Sequence, residues 1–325
     1  MAPRRPRIVV TRRIAEPAMA ILREAGDVWS PEPDRALAAD ELHKAAGGAD
    51  AVVSTLQDTI DGAFADAAGP GLKVVSTVAV GYDNIDVDAL AGRGVIVTNT
   101  PGVLTDATAD LAFGLLLGVT RRLGEGERLL RSGTPWSFQL GFMLGTGLQG
   151  KRLGIVGLGQ IGTAMARRAR AFGMTVCYTA RRRAAPELEA ELGATRLPLR
   201  ELLATSDVVS LHCPLTPETR HLIDTEALAA MKSSAYLINT TRGPVVDEAA
   251  LAAALSTGVI AGAGLDVFEN EPDVHPGLLG LDNVALAPHL GSATAETRTA
   301  MAELAARNAV AVLAGDEPLT PVRGR

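Results

Sequence analysis

Along the first hundred residues, short apolar runs rich in β-branched side chains alternate with Ala-rich helical stretches. Arg7 to Thr11, Ala51 to Ser54, Leu72 to Val78 and Val95 to Thr98 each hold such a run, bounded by Gly, Asp or Pro. Continuous apolar runs, rather than strict apolar–polar alternation, predict strands buried on both faces. Pro17 to Ala25 predicts a helix between the first two. Strand–helix alternation implies parallel strands joined by right-handed crossovers. Thr105 to Arg122 reads as one long apolar helix, with Thr105 and Asp106 suited to its N-cap and Arg121 and Arg122 to the negative end of its dipole. A second alternating series follows. It predicts strands at Arg152 to Val156, Thr175 to Tyr178, Val208 to Leu211, Ala235 to Ile238, Ala261 to Leu265 and Val284 to Leu286. A helix from Ala295 to Ala314 closes the chain. Two series predict two α/β domains, and the pattern leaves open which of them takes the last helix.

Composition agrees with this reading. The 325 residues are too many for one ordinary core, and 47% hydrophobic against 21% charged is the balance of a folded globular chain. With 54 Ala and only 3% aromatics, the cores suit helices laid closely on sheets rather than aromatic-lined β-sandwiches. A net charge of −6 argues against a nucleic-acid partner, which calls for a basic face. Cys177 and Cys213 form no metal-type or disulfide framework and read as two thiols in a reducing compartment. The longest charge-free stretch, Ser132 to Gly150, is broken by glycines and a proline, so no membrane span is expected. Arg4, Arg5 and Arg7 precede too short an apolar run for a signal peptide. The expected setting is cytoplasmic.

The first motif with chemistry is Gly157-Leu-Gly-Gln-Ile-Gly162. A bare GxGxxG is weak, but this one leaves a predicted strand and opens a predicted helix, Ile161 to Phe172. Gly157 permits the tight turn, Gly159 lets a pyrophosphate approach the backbone, and Gly162 lets helix and strand pack closely. The helix N-terminus offers free N–H groups to the phosphates. At the end of the next strand, where NAD-binding folds carry an acid for the ribose 2′-hydroxyl, stands Thr179, followed by Ala180-Arg-Arg-Arg183. A carboxylate repels a 2′-phosphate and arginine pairs with one. NADP(H) is therefore the expected cofactor, with Arg181 and Arg182 as phosphate ligands and NAD(H) as a possible substitute.

Three later segments put a polar side chain just past a buried strand: Asn239 to Pro244, Asp266 to Pro272 and Ala287 to Ser292. Carboxyl ends of parallel strands are where open α/β sheets bind ligands. With these go Val78 to Asp86, Val103 to Asp110, His212-Cys-Pro-Leu-Thr216, Ile238 to Glu248, Gly264-Leu-Asp-Val267 and Pro288 to Thr294. Together, in order and over nearly the whole chain, they resemble the D-isomer-specific 2-hydroxyacid dehydrogenase family, most closely its glyoxylate/hydroxypyruvate reductase branch. The resemblance implies an α/β protein of two doubly wound parallel-sheet domains. A Rossmann dinucleotide-binding domain, residues 101–289, would be inserted in a flavodoxin-like substrate domain, residues 1–100 and 290–325. It also implies a homodimer formed through the inserted domain.

The resemblance assigns roles as well. His289 would be the general acid that protonates the carbonyl oxygen of a small 2-oxo acid, a task suited to imidazole near neutral pH. Glu271, directly before a proline, would hold the other ring nitrogen and favour the charged imidazolium; Glu269 is the competing choice. Arg242 would bind both the carboxylate and the carbonyl oxygen. Backbone N–H groups of Val80 and Gly81 would complete the carboxylate site, and Leu56 would line it. Thr105, Gln160, Ile161, Pro214, Thr241, Asp266 and Ser292 join the glycines and arginines as implied cofactor contacts, Asp266 toward the nicotinamide carboxamide. No metal is implied. His43, His221 and His275 match no functional position, and His212 is not read as catalytic. Asp110 stands where many relatives carry Glu and receives no role. Trp136 is open between a substrate role and interface packing. The expected reaction is reduction of glyoxylate or hydroxypyruvate to the D-2-hydroxy acid. The alternatives are a D-lactate-type or sugar 2-keto acid and, of another class, a dinucleotide-sensing binding protein.

Overall fold

A computed structural model describes residues 4–322. The described residues divide into two compact units. One runs up to Leu104 and resumes at Ser292; the other is Thr105–Gly291.

The first unit holds a five-stranded parallel sheet made of β1 (Arg7–Val10), β2 (Asp27–Trp29), β3 (Ala51–Ser54), β4 (Val74–Thr77) and β5 (Ile96–Thr98), in the order β2-β1-β3-β4-β5. This is the flavodoxin-like order, whose direction reverses between β1 and β3. Both faces are covered, as the unbroken apolar runs require. Val9 faces Leu42, Phe64 and Ala68, while its neighbours Ile8 and Val10 face Leu22, Ala302 and Ala306. The closing helix Ala295–Ala314 thus packs on this sheet, and the Ser76 hydroxyl donates to the carbonyl of Ala305 at 2.8 Å. Thr294 caps that helix by accepting from Thr297 N–H, a bond worth about 1 kcal/mol.

The second unit holds seven parallel strands: β6 (Arg152–Val156), β7 (Thr175–Thr179), β8 (Ala194–Arg196), β9 (Val208–Leu211), β10 (Tyr236–Asn239), β11 (Gly262–Leu265) and β12 (Val284–Leu286). Their order, β12-β11-β10-β9-β6-β7-β8, is the doubly wound dinucleotide-fold arrangement, with its switch point between β6 and β9. The helix Thr105–Thr120 lies against β11 with almost no side-chain spacing. A Cβ at Gly264 would stand 2.9 Å from that of Leu115, and one at Gly262 would stand 2.9 Å from Val119. Gly and Ala in the sheet let the two layers close to this distance.

Two details depart from the sequence reading. The long helix ends at Thr120, and Arg122 takes a left-handed backbone (φ 54°) and pairs with Glu125 at the start of the helix Leu123–Arg131. The helix thus stops two residues short of Arg122, and the Arg122 guanidinium is engaged by Glu125. The short strands β2 and β8 were not predicted, because each is a sheet edge with too few apolar residues to make a run.

Candidate active site

At the switch point, β6 delivers the chain into Gly157, whose φ of 97° admits only glycine without strain. A Cβ there would strike His212 O at 2.7 Å, and one at Gly162 would strike Gly157 O at 2.3 Å. These two glycines are thus required by packing inside the unit. Gly159 differs: a Cβ there would meet nothing within 4 Å, so its small size keeps open space above the backbone. Gly159 is the N-cap of the helix Gln160–Ala171 and supplies no side-chain cap, which leaves the first-turn N–H groups of Gln160, Ile161 and Gly162 directed at that space. An uncapped N-terminus facing a cleared surface fits a dinucleotide pyrophosphate. Thr105 Oγ1 reaches Gln160 Oε1 at 3.4 Å.

Past β7, Arg181, Arg182 and Arg183 are all exposed. Arg183 is taken up by Glu189, to which it donates from Nε and Nη2. Arg196, on the edge strand β8, donates to the carbonyls of Ala180 at 2.8 Å and Arg181 at 3.4 Å. The backbone under Arg181 is therefore held from the neighbouring strand. After β9, His212 Nε2 lies 2.8 Å from the Ser210 hydroxyl, its Nδ1 is buried without a partner, and burial pushes its pKa down to about 4. Pro214 is exposed, and its carbonyl accepts from Thr219.

The three strand ends on the other side of the switch carry Arg242, Asp266 with Glu271, and His289. Beyond β10, Asn239 is buried and braces its own loop. Its Oδ1 accepts from Thr241 N–H and Oγ1, and its Nδ2 donates to Arg242 O at 3.0 Å. Beyond β12, His289 Nδ1 lies 2.7 Å from Glu271 Oε2, and Glu271 Oε1 accepts from Phe268 N–H. Burial pushes the Glu271 carboxyl up. The hydrogen bond and charge of His289, with help from the Phe268 N–H and Arg242, outweigh it and hold the group below its ordinary value. Glu269 turns elsewhere, to His221. His289 itself has a left-handed backbone, φ 54°, which costs a non-glycine residue about 1–3 kcal/mol. Asp266 offsets this. Its carbonyl accepts from His289 N–H at 2.8 Å, and its carboxylate accepts from Leu290 N–H at 2.6 Å and Gly291 N–H at 2.8 Å. Bonds of this charge-assisted kind contribute about 1.5–3 kcal/mol each. Asp266 is only 1% exposed; burial raises its pKa against those two N–H groups.

Leu56, Val80 and Gly81 belong to the first unit, in loops beyond β3 and β4 at the carboxyl edge of its sheet. Asn99 Nδ2 donates to Val80 O at 2.8 Å, and the Asp58 carboxylate gathers Thr55 N–H, Thr55 Oγ1 and Thr11 Oγ1 beside Leu56. Ser292 begins the returning segment of the same unit.

Comparison with known proteins identifies the family. Residues 113–291 match the family model described as D-isomer specific 2-hydroxyacid dehydrogenase, NAD binding domain. The glyoxylate reductase of Thermococcus onnurineus is 49% identical over 323 residues, covering 98% of this chain and 96% of its own. The chain belongs to the D-isomer specific 2-hydroxyacid dehydrogenase family. Two solved structures show how far the likeness extends. The NADPH-dependent glyoxylate/hydroxypyruvate reductase of Sinorhizobium meliloti, in complex with NADP and malonate, superposes with a TM-score of 0.85 at 38% identity, over 99% of both chains. The D-mandelate dehydrogenase of Rhodotorula graminis does so with a TM-score of 0.90 at 32% identity, also over 99% of both. As a 2-hydroxyacid dehydrogenase, this protein is an NAD(P)-dependent oxidoreductase with small 2-hydroxy or 2-oxo acid substrates. Among the described residues no helix is long and apolar enough to cross a membrane.

For this dehydrogenase, sequence reasoning overlooked Asn239, which holds the Arg242 loop, and Arg196, which holds the Arg181 loop. Asn239 carried a signal, since Asn at a strand end followed by Thr-Thr favours a side-chain-to-backbone turn. Arg196 carried none, because its strand was not legible. Asp110, left without a role, accepts from Arg168 Nε at 2.6 Å, and Arg168 also reaches Asp106. That exposed network joins the helices Thr105–Thr120 and Gln160–Ala171 and contributes about 1 kcal/mol at most.

Proposed function

We propose that this dehydrogenase reduces a small 2-oxo acid, glyoxylate or hydroxypyruvate, to the D-2-hydroxy acid, with NADPH preferred over NADH. The observation that carries the reading is the His289–Glu271 pair at 2.7 Å, set at the carboxyl edge of the same sheet as Arg242 and the open Gly159 turn. The dinucleotide-binding domain, expected at residues 101–289, is assigned to the unit Thr105–Gly291, and the other unit is the substrate domain.

The bound nicotinamide dinucleotide supplies the hydride. Gly157, Gly159 and Gly162 with the N–H groups of Gln160 and Ile161 would hold its pyrophosphate. Thr105, Pro214 and Thr241 would contact the rest of it, and the family likeness adds Ser292. Arg181 and Arg182 hold a 2′-phosphate, a role that Arg183 is too engaged with Glu189 to share. His289, with Nδ1 on Glu271, has Nε2 to donate a proton to the carbonyl oxygen as it gains charge. Glu271 stays ionised below its ordinary range, so it both fixes the ring and stabilises the imidazolium that the donation consumes. Arg242 pairs with the substrate carboxylate and polarises the carbonyl. From the family likeness, the N–H groups of Val80 and Gly81 and the side chain of Leu56 would be substrate contacts. Asp266 holds the His289 loop. The enzyme acts as a homodimer in the cytoplasm, a setting with which two free cysteines, Cys177 and Cys213, are compatible.

A panel of 2-oxo acids, followed by NADPH absorbance, tests the reading. Glyoxylate and hydroxypyruvate are expected to be turned over fastest. His289→Ala should lower kcat by about 10²- to 10⁴-fold while NADPH still binds. Preference for an aryl 2-oxo acid would move the assignment toward the mandelate-type relatives. Tight dinucleotide binding with no turnover on any 2-oxo acid would overturn it in favour of a binding protein.

A further inference from the structure

Four non-glycine residues among those described have a left-handed backbone, and two of them are histidines, His289 (φ 54°) and His221 (φ 51°). Each is hydrogen-bonded to a glutamate of one loop: His289 to Glu271, and His221 Nε2 to Glu269 Oε1 at 2.6 Å. The reaction above uses the first pair and leaves the second without work.

The second pair is part of a larger arrangement. Glu248, 6% exposed, opens the helix Glu248–Ser256. Its Oε2 accepts from Glu269 N–H and its Oε1 from His275 N–H, both at 2.8 Å. One buried carboxylate therefore pins both ends of residues 269–275, the loop that carries Glu271. Glu269 returns the contact, its Oε2 accepting from Glu248 N–H at 3.1 Å. The Arg242 segment is fastened to the same place. His221 N–H donates to Pro244 O at 2.8 Å, and a Cβ on Gly243 would fall 1.8 Å from Phe268 C, so the backbone next to Arg242 lies directly on the base of the Glu271 loop.

We propose that His221, Glu248 and Glu269 are positioning residues, which fix the Arg242 segment and the Glu271 loop at one separation. The proposal rests on the assignment of Arg242, Glu271 and His289 as catalytic. Glu248 closes the loop at both ends, and the His221–Glu269 bond ties it to the strand end that carries Arg242. Neither Glu248 nor Glu269 touches the reacting atoms in this scheme. They act because a small misplacement of a catalytic pair is costly, about 10²-fold for an error near 1 Å.

The test uses the full-length enzyme, NADPH and the best 2-oxo acid of the panel, with active sites counted by NADPH titration. Glu269→Ala and His221→Ala should each lower kcat about ten-fold and raise KM for the 2-oxo acid a few-fold, with NADPH affinity unchanged. The double variant should be no worse than Glu269→Ala, since that variant already removes the His221–Glu269 bond together with the one from Glu248 N–H. Glu269→Gln should recover most of the activity, because its amide still accepts from Glu248 N–H and pairs with the His221 ring. A purely structural role would lower the folded fraction and leave KM where it was, and that result would overturn the proposal, as would additive losses. If Glu269→Ala does not fold, His221→Gln and His221→Ala, at a partly exposed position, decide by the same KM criterion. Glu271→Gln is measured alongside. An impaired Glu271→Gln with normal His221 and Glu269 variants defeats this inference alone. A fully active Glu271→Gln defeats the catalytic assignment beneath it.

Discussion

At the scale of single residues, the molecule separates titratable groups that sit beside one another in sequence. His212 and Cys213 are neighbours in the chain, and burial pushes the first down to about 4 and the second up to about 11. Both are neutral near pH 7, so neither imidazolium nor thiolate chemistry is available from this loop. The histidine has a consequence for stability. Its folded value lies below the ordinary 6.5, so between pH 7 and pH 5 the unfolded chain binds a proton here that the folded chain refuses. Stability from this group is therefore full at neutral pH and falls with acidification, by about 2 kcal/mol over those two units. Urea unfolding at both pH values, on the wild type and His212→Gln, checks this. The variant should lose about 2 kcal/mol less than the wild type between them, and identical slopes would show that His212 is solvated. Glu271 runs the same way, over a lower pH range. Its depressed pKa keeps the carboxylate ionised above its ordinary value, and the stability this contributes is lost as pH falls through the lower folded one.

At the scale of elements, the short edge strands β2 and β8 decide what the apolar pattern could not. A central strand such as β6 announces itself because both faces must be apolar. β8 is covered less completely, and its Ala-Thr-Arg sequence looks like loop. Yet β8 carries Arg196, whose bonds to the carbonyls of Ala180 and Arg181 set the backbone from which Arg181 projects. Cofactor discrimination is thus expected to depend on Arg181 and Arg182 and on Arg196, which holds the backbone beneath Arg181. The wild type should show higher kcat/KM with NADPH than with NADH. Arg181→Ala should cut that ratio by about 10- to 100-fold, the value of a lost charge-assisted hydrogen bond, and Arg196→Met should cut it by a smaller factor. Kinetics with both dinucleotides measures all three, and a wild type that favours NADH sinks the assignment. The glycines of the turn were legible for the same reason that they are present. The turn's φ at Gly157 and the close approach at Gly162 exclude any side chain, whatever else the sequence does.

At the scale of the whole molecule, the second unit bears an apolar surface that its own fold does not cover. Leu130, Phe138, Leu140 and Leu144, in the helix Leu123–Arg131 and the loop beyond it, are each more than 60% exposed. Trp136 stacks on Phe142 there, ring centroids 6.1 Å apart. Monomers rarely leave such a patch in water, and a second copy of the chain is the expected cover. Light scattering should give the mass of a dimer, and Leu140→Glu should shift it toward the monomer; a monomeric wild type would refute the homodimer. What the sequence determined by itself was everything that depends on local sterics or on burial of a whole run: the central strands, the α/β class, the glycine turn, and the polar residues waiting at strand ends. Arg242, Glu271 and His289 were identified as candidates from those positions together with family likeness. Only the tertiary structure decided how they are held. It assigned Asn239 and Asp266 to their loops, gave Glu269 to His221 and Glu271 to His289, and made Glu248 the clasp of residues 269–275. Those choices turn on which buried donor finds which acceptor across tens of residues. Hydrogen-bond satisfaction inside a fold is settled by three-dimensional proximity, and no periodicity along the chain encodes it.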